Sequence, residues 1–269
     1  MQRPCDLHIT LVQTALAWEA PSENKTHFEN LLAGLKHSDL ILLPEMFTTG
    51  FSMKPEHLAE KMDGPSMQWM HSLAKTHDAV VTGSLIIQEN GKYYNRLIWM
   101  RPDGSYAQYD KRHLFSFAQE EEHYTAGHDR LIVDLKGWRV CPLVCYDLRF
   151  PAWIRNQDWN SSSTDPVYDL LLFVANWPAA RAKAWTNLLE ARAHENQCFV
   201  AGVNRIGADG NGIPHDGHCL LIDPKGSIIS DIQPNEEGVH TYTLPFAPLE
   251  SFRQKFTAWK DADNLSLDL

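Results

Sequence analysis

The chain predicts a mixed α/β sandwich built as one domain over residues 1–269. Three observations carry that expectation. Hydrophobic residues are 43% of the chain and charged residues 22%, an ordinary globular balance that excludes disorder, collagen and coiled coil. Buried-looking apolar runs alternate with helical patterns, as in α/β proteins. Several strands are joined by short glycine turns, more hairpins than a pure doubly wound sheet has. Nine Trp, eight Tyr and eleven Phe point to a well-packed interior.

In chain order, Leu7–Gln13 reads as a strand and Glu23–His37 as an amphipathic helix with Ser22 as its N-cap. Asp39–Glu45 is a continuous apolar run ended by Pro44 and a carboxylate, the pattern of a strand buried on both faces. A helix over Ser66–His77 follows Gly64-Pro65. Strands follow at Ala79–Gln88, Lys92–Met100 and Ser105–Tyr109, turned by Asn90-Gly91 and Asp103-Gly104. Asp110–Arg130 has no clean period and reads as a long excursion, the kind of loop that usually carries function.

Strands resume at Leu131–Leu135 and Arg139–Val144 across the turn Lys136-Gly137, and a short helix starts near Pro151. Tyr168–Ala175 is another buried strand and Arg181–Asn196 another helix. Cys198–Asn204, Cys219–Asp223, Ser227–Ile232 and Gly238–Leu244 complete the strands, with a turn at Pro224-Lys225-Gly226. The last stretch, about 256–269, is too polar for core and reads as a frayed end or a tail packing on a partner subunit.

A formal net charge of -10 argues against nucleic acid and anionic membrane as partners. The one dense basic cluster, Lys111-Arg112-His113, lies near Glu120, Glu121 and Glu122. Five Cys without a CxxC pair argue against a disulfide framework or zinc knuckle and for reduced thiols in the cytoplasm. The start of the chain lacks a signal-peptide run, and no apolar stretch approaches the roughly 18 residues of a membrane span. His194, His215 and His218 form no usable metal set and read as surface or interface residues.

Three polar groups each follow a strand: Glu45, Lys111 and Cys145. Carboxyl ends of central strands converge on one rim, where α/β proteins place their sites. Singly, each has a plain structural explanation: a buried small hydrophobe, a solvated strand end, a surface lysine. Together, a thiol, a carboxylate to move its proton and a cation for an oxyanion form a set for acyl transfer.

The blocks Pro44-Glu45-Met46-Phe47, Asp110–Phe115, Cys145–Pro151, Ala175–Pro178 and Leu189–Gln197 resemble, in order and spacing, the nitrilase superfamily of carbon–nitrogen hydrolases. Asn176-Trp177-Pro178 and Val203–Gly207 make the chain most similar to the bacterial omega-amidases, which hydrolyse 2-oxoglutaramate. The resemblance implies a four-layer α-β-β-α sandwich of two mixed sheets flanked by helices, a homodimer, and no metal or cofactor. It implies Cys145 as nucleophile, Glu45 as general base, Lys111 as oxyanion cation and Glu120 as a second carboxylate bracing the lysine. Glu121 and Glu122 leave that last register open.

For substrate binding the resemblance points to Tyr146, whose backbone N–H shares the oxyanion, and to Phe115 and Trp177 as pocket walls. Arg149 and Arg181 are candidate cations for a substrate carboxylate. Pairing with Asp147 or a neighbouring strand is the structural alternative for Arg149, a helix surface for Arg181, and core packing for Trp177. A small-molecule amide is the expected substrate. Another hydrolase of the same scaffold (a nitrilase, an N-carbamoyl hydrolase, a deaminated-glutathione amidase) and a non-catalytic binding member are the alternatives. Ala152, and His215–Cys219, depart from the family pattern.

Overall fold

A computed structural model describes residues 4–159, 161 and 163–263. Strands β1 (Leu7–Gln13), β2 (Leu40–Leu42), β3 (Val80–Glu89), β4 (Lys92–Met100) and β5 (Tyr106–Asp110) lie in one sheet. A later strand, β13 (Gly238–Leu244), joins them to give the order β13-β1-β2-β3-β4-β5. The second sheet, β12-β9-β8-β7-β6, comprises β6 (Val133–Leu135), β7 (Trp138–Val144), β8 (Leu170–Ala175), β9 (Phe199–Asn204) and β12 (Leu220–Ile222). Each sheet has three parallel central strands, β1-β2-β3 and β7-β8-β9, with antiparallel strands outside them.

The period of two explains the layers. Leu7, Ile9 and Leu11 of β1 and Leu40 and Leu42 of β2 face the second sheet in one apolar core. Val12, Ile41 and Leu43 face outward, where α1 (Pro21–Leu32) and α3 (Pro65–His77) cover them with Phe28, Leu32, Met67 and Met70. On the far side α6 (Ala182–Asn196) seals the second sheet with Trp185, Leu189 and Ala193. The layers therefore run helix, sheet, sheet, helix, as expected. Each fully buried Leu, Ile or Phe contributes about 1.5–3 kcal/mol.

Several elements depart from the sequence reading. Pro21 opens α1, so Ser22 lies inside the helix and is not its cap, and the helix stops at Leu32 instead of His37. Proline without an N–H is at home in a first turn. Ser227–Ile232 is not a strand: a single bridge, Ile228 to Ile222, replaces the ladder, and Ile228 and Ile229 stay about 42% and 41% exposed. A hairpin not foreseen, β10 (Ile206–Ala208) and β11 (Pro214–Asp216), stands between the two sheets' ends.

Short helices also fall in α2 (Pro55–Leu58), α4 (Glu120–His123), α5 (Pro151–Ile154) and α7 (Phe246–Lys255). α7 docks through Arg253, whose guanidinium reaches Asp169 at 2.6 Å and the carbonyls of Gln197 and Tyr168 at 2.8 Å each. The described part of the tail also lies on its own chain: Gln197 donates to the Phe256 carbonyl at 2.8 Å and accepts from the Trp259 N–H at 3.2 Å. Residues 264–269, which the tail expectation includes, fall outside the described residues. Among the described residues, no helix is long and apolar enough to cross a membrane.

Candidate active site

Cys145 follows β7 directly and opens a 3-10 turn over Cys145–Arg149 with φ of 45°. A positive φ is uncommon away from glycine and calls for outside support. Asp147 supplies that support. One of its oxygens accepts the Val144 N–H at 3.1 Å and the Tyr109 hydroxyl at 2.8 Å. The other accepts the His113 backbone N–H at 3.0 Å and faces the His113 ring nitrogen at 2.8 Å. A single carboxylate thus ties the turn bearing Cys145 to the segment bearing Lys111. Asp147 is taken up by these partners, so the pairing considered for Arg149 is not made.

Glu45 follows β2 past Pro44, and the next residue, Met46, again has positive φ, 42°, with its N–H on Ser84 Oγ at 2.8 Å. Lys111 stands one residue beyond β5, its N–H on the Asn95 carbonyl at 3.0 Å. Its Nζ donates to Glu45 Oε1 at 2.9 Å, Glu120 Oε2 at 2.8 Å and Glu120 Oε1 at 3.1 Å. All three side chains are 1% exposed or less. The carboxylate register is therefore that of Glu120, the first residue of α4, while Glu121 and Glu122 are exposed. Phe115 donates its N–H to Glu120 Oε2 at 2.6 Å and so locks the loop onto the cluster.

Two asparagines complete the cage. Asn95 Nδ2 donates to Glu45 Oε1 at 2.7 Å and to Glu120 Oε1 at 3.2 Å. From the other sheet, the Asn176 N–H donates to Glu45 Oε2 at 2.9 Å, and its side-chain amide to the Glu45 carbonyl at 2.5 Å. Asn204 in turn holds the Trp177 N–H at 2.7 Å and the Trp177 carbonyl at 2.9 Å. Asn95 was not singled out from the sequence, yet a signal was there: asparagine is rare inside an apolar strand, and a buried one needs partners.

The charges sort themselves. Burial alone would drive Lys111 toward neutrality, but Glu120 and Glu45 overcome it and hold the ammonium well above the usual lysine value. Glu120 is pushed up by burial and by Glu45, against the pull of Lys111. The Cys145 thiol is pushed well up by burial and by the Glu45 carboxylate, with Lys111 opposing. The thiol is consequently held in its neutral form.

Cys145 is 8% exposed, at the base of a cavity of about 350 Å³. Arg149 and Arg181 line it, the first 4.9 Å above the Trp177 ring and the second 5.3 Å above the Phe115 ring. Neither guanidinium has a carboxylate partner or a side-chain hydrogen bond among the described residues. Arg181 therefore faces the cavity and is not spent on a helix surface. Trp177 is both wall and core: it lines the cavity, is 3% exposed, and its indole N–H reaches the Arg181 carbonyl at 2.9 Å.

Tyr146 packs edge-on to Phe115 at 4.9 Å, and Phe117, 84% exposed, stands at the mouth. His215 corrects the expectation of a surface histidine: it sits on β11, is 4% exposed and lines the cavity. Burial and Arg205 push its ring toward the neutral form. His218 pairs with Asp216 at 3.1 Å and His194 is exposed. Ala152 is exposed on α5, outside the cavity lining. His8, His37 and Asp39 bring three metal-capable atoms within 4.8 Å near the opposite strand ends, where Asp39 already accepts Lys136.

Comparison with known proteins follows the same lines. Residues 8–254 match the family described as carbon-nitrogen hydrolase. The omega-amidase YafV of Escherichia coli is 44% identical over 261 residues, 97% of this chain and 98% of that one. The 2-oxoglutaramate amidase of Bacillus subtilis is 35% identical, over 94% of this chain and 96% of that one. The crystal structure of XC1258 from Xanthomonas campestris, a CN-hydrolase superfamily protein with an arsenic adduct in its active site, superposes with a TM-score of 0.93. It is 46% identical over 97% of this chain and 99% of that one.

Proposed function

This chain belongs to the carbon–nitrogen hydrolase family, and from that premise we propose that it is an omega-amidase. Its reaction is release of ammonia from 2-oxoglutaramate and similar omega-amides such as succinamate. The observation that carries the reading is the buried Lys111 ammonium held between Glu45 and Glu120, at the cavity that Glu45, Lys111 and Cys145 line together. The names of the two amidases at 44% and 35% identity support the substrate class.

In the proposed route Glu45 takes the thiol proton as Cys145 Sγ bonds to the amide carbon. The carbonyl oxygen, now an oxyanion, is met by Lys111 and the Tyr146 N–H. Glu45 then gives its proton to the nitrogen, the carbon–nitrogen bond breaks, and ammonia leaves a thioester on sulfur. Water, deprotonated by Glu45, attacks the thioester; the carbon–sulfur bond breaks, the proton returns to the thiol and the acid departs. With two carboxylates and one ammonium, the cluster sums to one negative charge. That sum disfavours a standing thiolate and favours protonation of the leaving nitrogen. An arsenic adduct in a 46% identical protein accords with a reactive thiol, because arsenic is thiophilic.

At the other end of the cavity, Arg149 and Arg181 meet the carboxylate that the substrate keeps, between the walls of Trp177, Phe115 and Tyr146. Bidentate arginine suits that group. The reading takes the chain as one domain, cytoplasmic and homodimeric, acting on a small molecule without cofactor, nucleic acid or membrane. The test is ammonia release from 2-oxoglutaramate, succinamate, glutamine, a nitrile and a carbamoyl amino acid. The reading expects kcat/KM to be highest for 2-oxoglutaramate; a panel led by the nitrile or the carbamoyl compound overturns it.

A further inference from the structure

Asn95 sits on β4 with its side chain fully buried between the two carboxylates, and it occupies the position opposite Lys111. Its Nδ2 carries two hydrogens, and both are spent: one on Glu45 Oε1 at 2.7 Å, the other on Glu120 Oε1 at 3.2 Å. Its Oδ1 has no partner among the described residues. A buried amide that leaves its own acceptor unsatisfied has been placed for its donors, since an orphaned carbonyl is costly. Lys111 Nζ spans the same two oxygens, at 2.9 and 3.1 Å.

We propose that Asn95 is a positioning residue that selects which oxygen of Glu45 acts as the base. Lys111 and Asn95 together saturate Oε1. Oε2 has the Asn176 N–H at 2.9 Å and retains a lone pair for the thiol's proton. The same amide bridges two carboxylates that would otherwise repel across the lysine alone. Hydrogen bonds to an ionised carboxylate favour its ionised form, so loss of Asn95 makes proton uptake by the pair easier. The charged and titratable groups that face the pair are Lys111 beyond β5, Cys145 after β7 and Tyr124 at the end of α4. None of them supplies a second donor in place of Asn95.

The inference rests on the amidase reading, and its test separates the two. The pH profile of kcat/KM for the best amide is measured for the unchanged protein, Asn95→Leu and Asn95→Ala. Leucine keeps the volume and alanine opens a cavity, while both remove the two donors. Expected is a fall in kcat/KM of about 10²-fold in both, within the range for disturbing a general base. KM should stay within about threefold, and the acidic limb should move to higher pH by the same amount in both. An acidic limb that stays in place in either folded variant, or moves only with one of them, overturns the role of Asn95. If Asn95→Leu fails to fold, Asn95→Ala decides by the position of its limb. An unchanged protein that releases no ammonia from any amide contradicts the amidase reading instead.

Discussion

The two ends of the cavity are built on opposite terms. At the inner end each charged atom is committed: Lys111 to two carboxylates, Glu45 to three donors, and Asp147 to four contacts that hold the turn. At the outer end the two cations lie over aromatic faces with no carboxylate partner among the described residues, and the wall runs out to an exposed Phe117. Groups locked by their neighbours suit proton and charge handling in a fixed geometry. Groups left uncommitted suit a ligand that brings its own counter-charge. On the proposed function, chemistry belongs to the inner end and selection to the outer end, and substitutions should split accordingly.

The largest effect belongs to the sulfur. Cys145→Ala is expected to lower kcat/KM by at least about 10⁴-fold while the melting temperature holds, because the lost atom is small. Ammonia release by Cys145→Ala above background would break the inner-end assignment. Glu45→Gln keeps the shape and most hydrogen bonds but removes the base, and a loss of about 10³-fold is expected in kcat with little change in KM. Lys111→Met should cost about 10²–10³-fold in kcat. It also leaves two buried carboxylates without their cation, which should lower the melting temperature markedly, about 3–5 kcal/mol in stability.

The outer end should behave differently. Arg149→Ala and Arg181→Ala are expected to raise KM for 2-oxoglutaramate by about 10–100-fold, the worth of a charge-assisted hydrogen bond, with kcat within about threefold. The same substitutions should leave KM nearly unchanged for an uncharged amide of the same length. If kcat falls and KM does not, the division between the two ends fails.

The smallest effect is in the pH profile. Because Cys145 and Lys111 are both held above their usual values, neither should produce a basic limb in kcat/KM below about pH 9. Glu120 is pushed up by burial and Glu45, so its protonation on the way down in pH removes half of the lysine's counter-charge. The acidic limb should therefore lie above the ordinary carboxylate range of about 4.3. A basic limb near pH 7 would mean that a group needed in its protonated form, the thiol or the ammonium, loses its proton there, against both directions.

Much of this was legible in the chain. Strands with a strict period of two, such as Leu7–Gln13, declared both their faces, and Glu45, Lys111 and Cys145 announced themselves as polar groups just past apolar strands. The partners did not. Asn95 and Glu45 are 50 positions apart within one sheet, and Asn176 and Glu45 131 apart across two, so only strand order and the packing of the sheets bring them together. The same limit explains Ser227–Ile232, whose apolar pair looked like a strand but meets β12 through a single bridge, with the Ile229 N–H on the Leu221 carbonyl at 2.8 Å. His215 was hidden for a related reason: the hairpin that carries it is three residues a side, too short to leave a periodic signal. Helix α1 was misjudged at both ends because proline at the first position and a weak last turn are local details beneath the pattern.

Cys5 is exposed and so open to acylation from solution, and the decisive measurement belongs in a Cys5→Ser background. The protein is mixed with saturating 2-oxoglutaramate, quenched with acid within the first turnovers, and its peptides are weighed. The expected result is an acyl group, the substrate minus ammonia, on the peptide containing Cys145 and absent after Cys145→Ala. Full turnover with that peptide unmodified, or the acyl group on another residue, would contradict the account.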